Sequence, residues 1–261
     1  MSPQRPSDDP ALAAIDLQRV SRSFGGLKAV DDVTLRIRAG TRHVLIGPNG
    51  AGKTTLFALL SGELDVSAGE ITMFGQDVTS WSAMRRSRMG LGRTYQITNV
   101  FAGLSVQENL VLAMRGRHGD KLNMFLGTQP DTAGSERIDQ LLSVCGLQGR
   151  RQVRAGALSY GEQRLLELAI ALANEPRLLL LDEPAAGLSP AERGPMADTI
   201  RRLPRELTIV LIEHDMELAL GLADRVSCLY YGRLIADGTP DEVRTNEEVQ
   251  SVYFGTASSH A

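Results

Sequence analysis

Lysine and cysteine are both scarce in this chain of 261 residues. Three of its 28 basic residues are lysine, namely Lys28, Lys53 and Lys121, and the others are arginine. The two cysteines, Cys145 and Cys228, lie far apart among apolar neighbours, which excludes a disulfide framework and a cysteine-rich zinc site. We therefore predict two reduced core cysteines, and the position of each lysine becomes informative.

Long apolar runs and a strong charge of either sign are also missing. No run approaches the ~18 apolar residues of a membrane-spanning helix, and the polar, proline-broken stretch 1–10 lacks the apolar centre of a secretion signal. A formal net charge of −3 gives no positive field for nucleic acid or for an anionic bilayer. We expect a cytoplasmic protein without a nucleic-acid partner, whose membrane contacts are made through other proteins.

Strand patterns occupy both ends of the chain. Alternating apolar and polar residues over 15–37, with turns at Gly25-Gly26 and Asp31-Asp32, predict short antiparallel strands. Near the end, residues from 226 predict two short strands, a turn at Asp237-Gly238 and a final helix.

The middle of the chain changes from helices to an alternation of strands and helices. Helical patterns fill about 84–158, and beyond them the apolar strands 178–181 and 208–212 alternate with helices. This order predicts an α/β fold with a mostly parallel sheet core, an antiparallel β subdomain and a helical subdomain.

The length favours one domain that carries a subdomain. We place this domain at 12–255 and its helical subdomain at about 97–160, and we expect tails at 1–11 and 256–261.

A phosphate-binding pattern follows the predicted strand 44–46 and precedes a predicted helix. Residues 47–54 read GPNGAGKT and fit G-x-x-x-x-G-K-[ST]. The glycines let backbone N–H groups surround phosphate oxygens, the lysine reaches the β and γ phosphates, and the threonine hydroxyl suits Mg²⁺. A plain glycine-rich turn is disfavoured, because a compact ammonium stands here in a chain that otherwise uses arginine. The predicted ATP-binding residues here are Gly47, Pro48, Asn49, Gly50, Ala51, Gly52, Lys53, Thr54 and Thr55.

This loop alone leaves kinases, GTPases, motors and transport ATPases open, and two strand ends narrow the choice. Strand 178–181 ends in Asp182 and Glu183, at the edge of a parallel sheet where ligands bind. We assign Mg²⁺ binding through water to Asp182 and polarisation of the attacking water to Glu183; the alternative is an acid pair that merely begins a turn. After strand 208–212, His214 stands where an imidazole bridges the γ phosphate and Glu183, and the alternative is a solvent-facing histidine.

The segment 158–164 reads LSYGEQR and begins a predicted helix. Ser159 and Glu162 form an S-x-x-E capping box for that helix. A helix start that follows serine and contains Gly161 is also an anion site. Both interpretations hold together, and the remaining question is which phosphate meets the helix.

With these motifs in this order, the chain resembles the nucleotide-binding subunit of ATP-binding cassette (ABC) transporters over about 12–255. The resemblance implies that Gln96 contacts Mg²⁺ and faces the permease, that 158–163 is the signature, and that 186–189 crosses a dimer interface. It also places Phe24 where the family stacks an aromatic ring on adenine, although tyrosine is more usual. The signature contains Tyr160 where the family commonly has glycine, which puts the local backbone geometry in question.

The resemblance further implies an ATPase that works as a dimer. In that arrangement Ser159, Gly161 and Glu162 of one chain meet the ATP held by Lys53 of another, and Glu183 and His214 are catalytic. Mg²⁺ is held by Thr54, Gln96 and Asp182. The implied partners are a second ABC ATPase of the same or a sister kind, permease subunits and, indirectly, a solute-binding protein. The chain then sits peripherally on the inner face of the membrane, with a docking groove around Gln96, Val100, Phe101 and Leu104.

Within the family, the chain is similar to the longer ATPase of branched-chain amino-acid importers. The segments that carry this similarity are 93–96, 101–110, 158–172 and 253–255. Relatives that serve urea, amides or other small organic solutes, and a related lipopolysaccharide export cassette, stay as alternatives. A soluble cassette acting on nucleic acid or ribosomes and a small-molecule phosphotransferase are alternatives from other classes.

Overall fold

The structure is a computed structural model that describes residues 13–94, 100–116 and 132–254. They form two compact units: the first joins the described chain up to Arg86 with that from Ala223 on, and the second runs from Ser87 to Leu222. No helix in these described ranges is both long and apolar enough to cross a membrane.

The strands and helices alternate along most of the chain. The strands are β1 (Ala13–Phe24), β2 (Leu27–Arg38), β3 (Arg42–Ile46), β4 (Ala68–Met73), β5 (Gln76–Asp77), β6 (Leu91–Arg93), β7 (Leu178–Asp182), β8 (Thr208–Ile212), β9 (Arg225–Tyr230) and β10 (Arg233–Gly238). The helices are α1 (Lys53–Ser61), α2 (Ala83–Arg88), α3 (Val106–Gly116), α4 (Thr132–Val144), α5 (Tyr160–Leu172), α6 (Pro190–Arg202), α7 (Met216–Leu222), α8 (Pro240–Arg244) and α9 (Glu247–Phe254).

The first unit contains an antiparallel sheet in the order β2, β1, β4, β5. In the same unit, β3 pairs parallel with β9, and β9 pairs antiparallel with β10. Every residue of β3 is buried, as expected for a strand covered on both faces. The chain leaves β3 directly into the glycine-rich segment that precedes α1.

Helix α1 is fixed at its carboxyl end by a buried arginine. The guanidinium of Arg86 is 1% exposed and donates to the carbonyl oxygens of Leu59 and Leu60, at 2.6 and 2.8 Å. It also donates to Val78 O at 2.7 Å. A cation at this end of a helix is favourable and satisfies carbonyls that have no partner within the helix. Arg86 therefore holds the helix that follows the phosphate-binding segment.

In the second unit, β7 pairs parallel with both β6 and β8. All residues of β7 and β8 are buried, which explains their continuous apolar sequences. Asp182 of β7 pairs with Ile212 of β8, so the residues that follow these strands emerge at one edge of the sheet. The predicted strands 178–181 and 208–212 are confirmed, and with the antiparallel sheet and helices they confirm the α/β class.

Two predicted turns are wrong, because turn-type residues lie inside strands. Asp32 has a φ of +56° within β2, where Val20 pairs with Val33 but Arg22 pairs with Val30. The extra residue makes a β-bulge, which takes up the polar pair without reversing the chain.

The second misplaced turn is at Asp237-Gly238, which lies in β10. The chain reverses earlier, at Tyr231 and Gly232, whose φ angles are +45° and +77°. Asp237 pairs with Ser227 and accepts hydrogen bonds from Ser227 and Arg225, so its polarity serves the sheet. Strand β6 was also not predicted within the helical region, because three residues carry too little periodicity.

Candidate ATP-binding and hydrolysis site

The loop between β3 and α1 is shaped by glycines that touch neighbouring backbone. A Cβ on Gly47 would lie 2.3 Å from Leu229 O, and one on Gly52 would lie 2.3 Å from Ala29 O. Both have positive φ angles, +147° and +102°. Gly232 N donates to Ala51 O at 2.9 Å, which holds the loop from the β9–β10 turn. The loop is therefore seated against β2 and β9 within the first unit, and side chains at these two glycines are excluded.

The start of α1 combines the Lys53 ammonium with the positive end of the helix dipole. Lys53 is 6% exposed, and its Nζ donates to the carbonyl oxygens of Gly47 and Pro48 at 2.7 and 3.0 Å. Gly52 is the N-cap and offers no side-chain cap, and the first turn of α1 contains no acidic residue. The helix start is thus left for an external anion to satisfy. Thr54 is exposed and Thr55 is half-buried beside it.

Phe24 lies at the end of β1, in the hairpin that leads to Ala29. Its side chain is 44% exposed, and it pairs with Leu27 across the hairpin. The guanidinium of Arg22 lies 4.8 Å from the ring centroid, in a cation–π arrangement. The exposed aromatic ring is therefore held in place on the strand pair against which Gly52 packs.

In the second unit, Asp182 ends β7 as a buried carboxylate that is 2% exposed. Its backbone N–H donates to Thr94 Oγ1 at 3.4 Å, and Arg93 Nη2 lies 3.7 Å from its Oδ2. Arg93 and Thr94 belong to the segment that leads to Gln96, and Gln96 itself lies outside the described residues. The sequence indicated Asp182 but not the arginine beside it.

Glu183 has a left-handed backbone, with a φ of +48°. Its N–H donates to Ile212 O at 3.0 Å, and its carbonyl accepts from Arg164 Nη2 at 2.8 Å and from Ala186 N at 3.0 Å. Such a conformation costs about 1–3 kcal/mol for a non-glycine residue and persists where its surroundings hold it. The three contacts hold the Glu183 backbone in this conformation.

His214 follows β8 and lies beside Glu183. Its Nδ1 is 3.8 Å from Glu183 Oε2, and its side chain is 56% exposed. Glu183 is less exposed, at 25%. An imidazole and a carboxylate at this distance, both reachable from solvent, suit binding of a polar substrate.

Glu213 is a buried carboxylate that the sequence analysis did not single out. It is 1% exposed, and its Oε1 accepts from Ala185 N at 3.2 Å. Its Oε2 has no hydrogen-bond partner among the described residues, and His214 Nδ1 lies 3.9 Å away. Burial raises the pKa of Glu213 above its ordinary value, and the Glu183 charge adds to that effect. The signal in the sequence was an acid placed directly after a five-residue apolar strand.

The raised pKa of Glu213 predicts a pH-dependent stability. Ionisation of Glu213 is less favourable in the folded protein than in the unfolded chain. The protonated carboxyl is therefore compatible with the fold at low pH, and the stability of the protein falls as pH rises through the raised pKa of Glu213. We expect Glu213→Gln to gain stability relative to wild type as pH rises from 4 to 8. Urea unfolding across this range measures the difference. A difference that stays constant, or that grows on acidification, would contradict this assignment.

The signature helix α5 begins with the predicted capping box. Ser159 is the N-cap; its Oγ accepts from Glu162 N at 3.2 Å, and Glu162 Oε2 accepts from Ser159 N at 2.9 Å. Glu162 Oε1 also lies 2.6 Å from Arg150 Nε, and this contact is the main reason that the pKa of Glu162 is lowered. The helix start is well formed and Ser159 is exposed, whereas both oxygens of the Glu162 carboxylate already accept hydrogen bonds within the chain.

Tyr160 packs on the segment 186–189. Its hydroxyl donates to Ala186 O at 3.4 Å, and a Cβ on Gly187 would lie 3.0 Å from its ring. The N-cap angles at Ser159, φ −61° and ψ 162°, are those of an ordinary helix start. The tyrosine is therefore accommodated by Gly187, and the helix begins without distortion.

An exposed phenylalanine lies on a braced loop before α3. Phe101 is 59% exposed, whereas Asn109 behind it is 2% exposed. Asn109 Oδ1 accepts from Phe101 N at 2.8 Å, and its Nδ2 donates to Phe101 O and Ser105 O at 3.1 and 2.9 Å. The predicted groove residues Val100 and Leu104 are half-buried. The loop thus presents an apolar side chain from a fixed backbone.

A glycine-rich loop before a helix and carboxylates at a parallel strand end define an α/β nucleotide-binding protein of the phosphate-loop class. Comparison with known proteins makes the class specific. The family model described as "ABC transporter" matches residues 30–186, more than half of the chain, and the model for "Branched-chain amino acid ATP-binding cassette transporter" matches residues 233–258. The chain belongs to the ABC transporter family, as one of its ATP-binding cassettes.

Similar curated proteins cover nearly the whole chain. The high-affinity branched-chain amino acid transport ATP-binding protein LivG of Salmonella typhimurium is 39% identical over 243 residues, which are 90% of this chain and 94% of LivG. BraF of Pseudomonas aeruginosa, described in the same words, is 35% identical over 250 residues, 93% of this chain and 98% of BraF.

Solved structures agree with this assignment. The ADP conformation of MJ1267, an ATP-binding cassette of an ABC transporter, has a TM-score of 0.84 and 26% identity, covering 94% of this chain and 99% of MJ1267. A nucleotide-free ATP-binding cassette from an ABC transporter has a TM-score of 0.81 and 25% identity, covering 94% of this chain and all of that chain. The predicted family, cassette fold and ATPase activity are confirmed, and the protein binds and hydrolyses ATP.

Proposed function

We propose that this chain is the ATP-hydrolysing subunit of an importer for branched-chain amino acids. The observation that carries the solute class is the match of the branched-chain amino acid family model to residues 233–258, which contain β10, α8 and α9. The names of the similar proteins LivG and BraF support the same solutes. Partner permeases and a solute-binding protein complete the importer, and the cassette sits peripherally on the inner membrane face.

The phosphate loop binds the phosphates of ATP through its lysine and its backbone N–H groups. Lys53 leaves the carbonyls of Gly47 and Pro48 to bind the β and γ phosphates, and the backbone N–H groups of Gly50 to Thr55 surround the phosphate oxygens. Asn49 and Ala51 complete the loop. Phe24 stacks on adenine, because its exposed ring is already held by Arg22.

The residues available for Mg²⁺ fit that ion. Thr54 offers a hydroxyl and Asp182 a carboxylate, and oxygen ligands are those that Mg²⁺ prefers. Phosphate and water oxygens would supply the remaining ligands, as is usual for Mg²⁺ bound with a nucleotide. Gln96 is assigned to the same ion. Bound Mg²⁺ neutralises charge on the phosphates.

Hydrolysis rests on Glu183 and His214. Glu183 accepts a proton from the attacking water, whose oxygen displaces ADP from the γ phosphorus. His214, 3.8 Å from Glu183, donates a hydrogen bond to the γ phosphate and keeps the carboxylate oriented. The contacts of Ile212, Arg164 and Ala186 with the Glu183 backbone hold the base in this position.

The second half of each reaction centre comes from another cassette. Ser159 and Gly161 at the start of α5 bind the γ phosphate of ATP held by the partner, because an exposed helix start with a serine cap suits an anion. ATP thereby closes the dimer, and hydrolysis reopens it. The segment 186–189, packed on Tyr160, lies at this interface.

Phe101 is the anchor for the permease, because it is exposed on a loop that Asn109 braces. Aromatic side chains that become buried on binding contribute much of the binding free energy of many protein–protein interfaces. We expect Phe101→Ser to reduce copurification of the permease about tenfold or more while ATP binding by the isolated subunit is unchanged. Met84→Ala, which removes another exposed apolar side chain, is the matched control. Equal losses in the two variants would contradict a specific anchor.

Uptake in cells tests the solute. Cells that carry Glu183→Gln in place of the native chain are expected to lose uptake of labelled leucine, isoleucine and valine and to keep uptake of urea. Loss of urea uptake with normal leucine uptake would overturn the assignment. The membrane and solute-binding proteins that copurify with the native chain identify the importer.

A further inference from the structure

We propose that the Glu192 carboxylate competes with ATP for the start of the signature helix. It accepts a hydrogen bond from Gly161 N until the γ phosphate of an ATP bound to the partner chain displaces it. The inference rests on the proposed function, in which the start of α5 binds that phosphate. It adds a residue that neither the phosphate loop, the carboxylate pair nor the signature contains. Glu192 is a positioning residue in this account, because it acts through Gly161 and Ser189.

Glu192 contacts the starts of two helices at once. Its Oε1 accepts from Gly161 N of α5 at 3.1 Å. Its Oε2 accepts from Ser189 N and Ser189 Oγ, at 3.0 and 2.7 Å, in the capping box of its own helix α6. The two carboxylate oxygens are thus divided between the signature and the segment 186–189.

The contact with Gly161 is close enough to require glycine there. A Cβ on Gly161 would lie 2.6 Å from Glu192 Oε1 and 2.9 Å from its carboxyl carbon. The hydroxyl and N–H of Ser189, followed by Gly161 N and the Ser159 hydroxyl, hold the pKa of Glu192 below its ordinary value, so the group is an anion at neutral pH. A charged acceptor makes a stronger hydrogen bond with an N–H group than a neutral one.

The other capping-box carboxylates in the described chain each accept backbone N–H groups from the start of one helix only. Glu242 accepts from Thr239 N at 2.7 Å for α8, and Glu108 accepts from Ser105 N at 2.7 Å at the start of α3. Glu192 caps α6 in the same way and reaches a second helix 31 residues earlier. Ordinary capping therefore explains its contacts with Ser189 and leaves the Gly161 contact unexplained.

A phosphate and Glu192 compete for the same donor. An N–H group serves one strong acceptor at a time, and two anions at contact distance repel each other. The γ phosphate carries more charge than a carboxylate, so it replaces Glu192 at Gly161 when the dimer closes. Glu192 Oε2 keeps its hydrogen bonds to Ser189 while Oε1 leaves Gly161 N. Phosphate binding at Gly161 is thereby coupled to the segment 186–189.

The test measures the MgATP concentration that gives half-maximal dimerisation, in a Glu183→Gln background that prevents hydrolysis. Glu192→Gln weakens the competing acceptor, so we expect this concentration to fall about fivefold, as for a hydrogen bond weakened by roughly 1 kcal/mol. Glu192→Asp keeps the charge but shortens the reach to Gly161, and we expect a similar fall. Glu242→Gln makes the same chemical change in the α8 capping box and is expected to have no effect.

A half-maximal concentration that is unchanged or higher in both Glu192 variants would overturn the proposal, because Glu192 would then be a simple cap or a contact kept in the dimer. Monomer affinity for ATP, measured at low protein concentration, confirms that each variant is folded. Failure of the proposed function has a different outcome: Ser159→Ala would then leave dimerisation intact whatever the Glu192 variants do.

Discussion

Glu183→Gln is expected to lower the rate of ATP hydrolysis roughly a hundredfold or more while ATP binding is preserved. The substitution removes the carboxylate that we propose as the base for the attacking water, and it keeps the size of the side chain. The backbone contacts from Ile212, Arg164 and Ala186 do not involve the carboxylate, so the local fold is retained. Phosphate release under saturating MgATP measures the effect. The blocked variant is also expected to accumulate as an ATP-bound dimer.

Glu175→Gln is the matched control for this experiment, because Glu175 is a well-exposed carboxylate of the same unit. It is expected to hydrolyse ATP at the wild-type rate. Wild-type turnover by Glu183→Gln would remove Glu183 from the role of base. Loss of ATP binding by that variant would show that the carboxylate supports the fold of the site.

Substitutions of Lys53 and Ser159 are expected to separate the two halves of the reaction centre. Lys53→Ala removes a charge-assisted contact with phosphate and should weaken ATP binding by the monomer roughly tenfold or more. Ser159→Ala should leave monomer binding unchanged, because the proposed dimer places Ser159 at the nucleotide of the partner chain and not at that of its own chain, and should impair ATP-dependent dimerisation. Equilibrium binding at low protein concentration and light scattering with MgATP measure the two properties.

The interpretation depends on the difference between these variants. Equal loss of monomer binding in both would show that Ser159 serves the nucleotide of its own chain. Ser159 also caps α5, and losing a cap costs about 1 kcal/mol. Ser105→Ala removes a comparable hydroxyl at the start of α3 and controls for that loss of stability.

The parts of the candidate site that could be predicted from the sequence are those built from consecutive residues. The loop 47–54, the acids at the end of β7 and the serine cap of α5 each combine a local pattern with a required chemistry. Buried parallel strands such as β7 and β8 were recognised because both of their faces are covered and their sequences are apolar throughout.

What the sequence did not reveal depends on contacts between distant residues. Asp32 and Asp237 have the composition of turns, yet a bulge and a strand pairing use them inside β2 and β10. The proximity of Arg93 to Asp182 and the reach of Glu192 to Gly161 arise only once strands and helices pack. Glu213 was overlooked because a buried carboxylate looks like any other acid until its burial is known.

The most direct measurement of the central claim, that a nucleotide joins two chains into a working site, is the dependence of specific ATPase activity on protein concentration. If two cassettes form each reaction centre, the rate per chain is expected to rise in proportion to concentration while the protein is mainly monomeric, and to level off once it is dimeric. A rate per chain that stays at its full value in dilute, monomeric protein would contradict the claim.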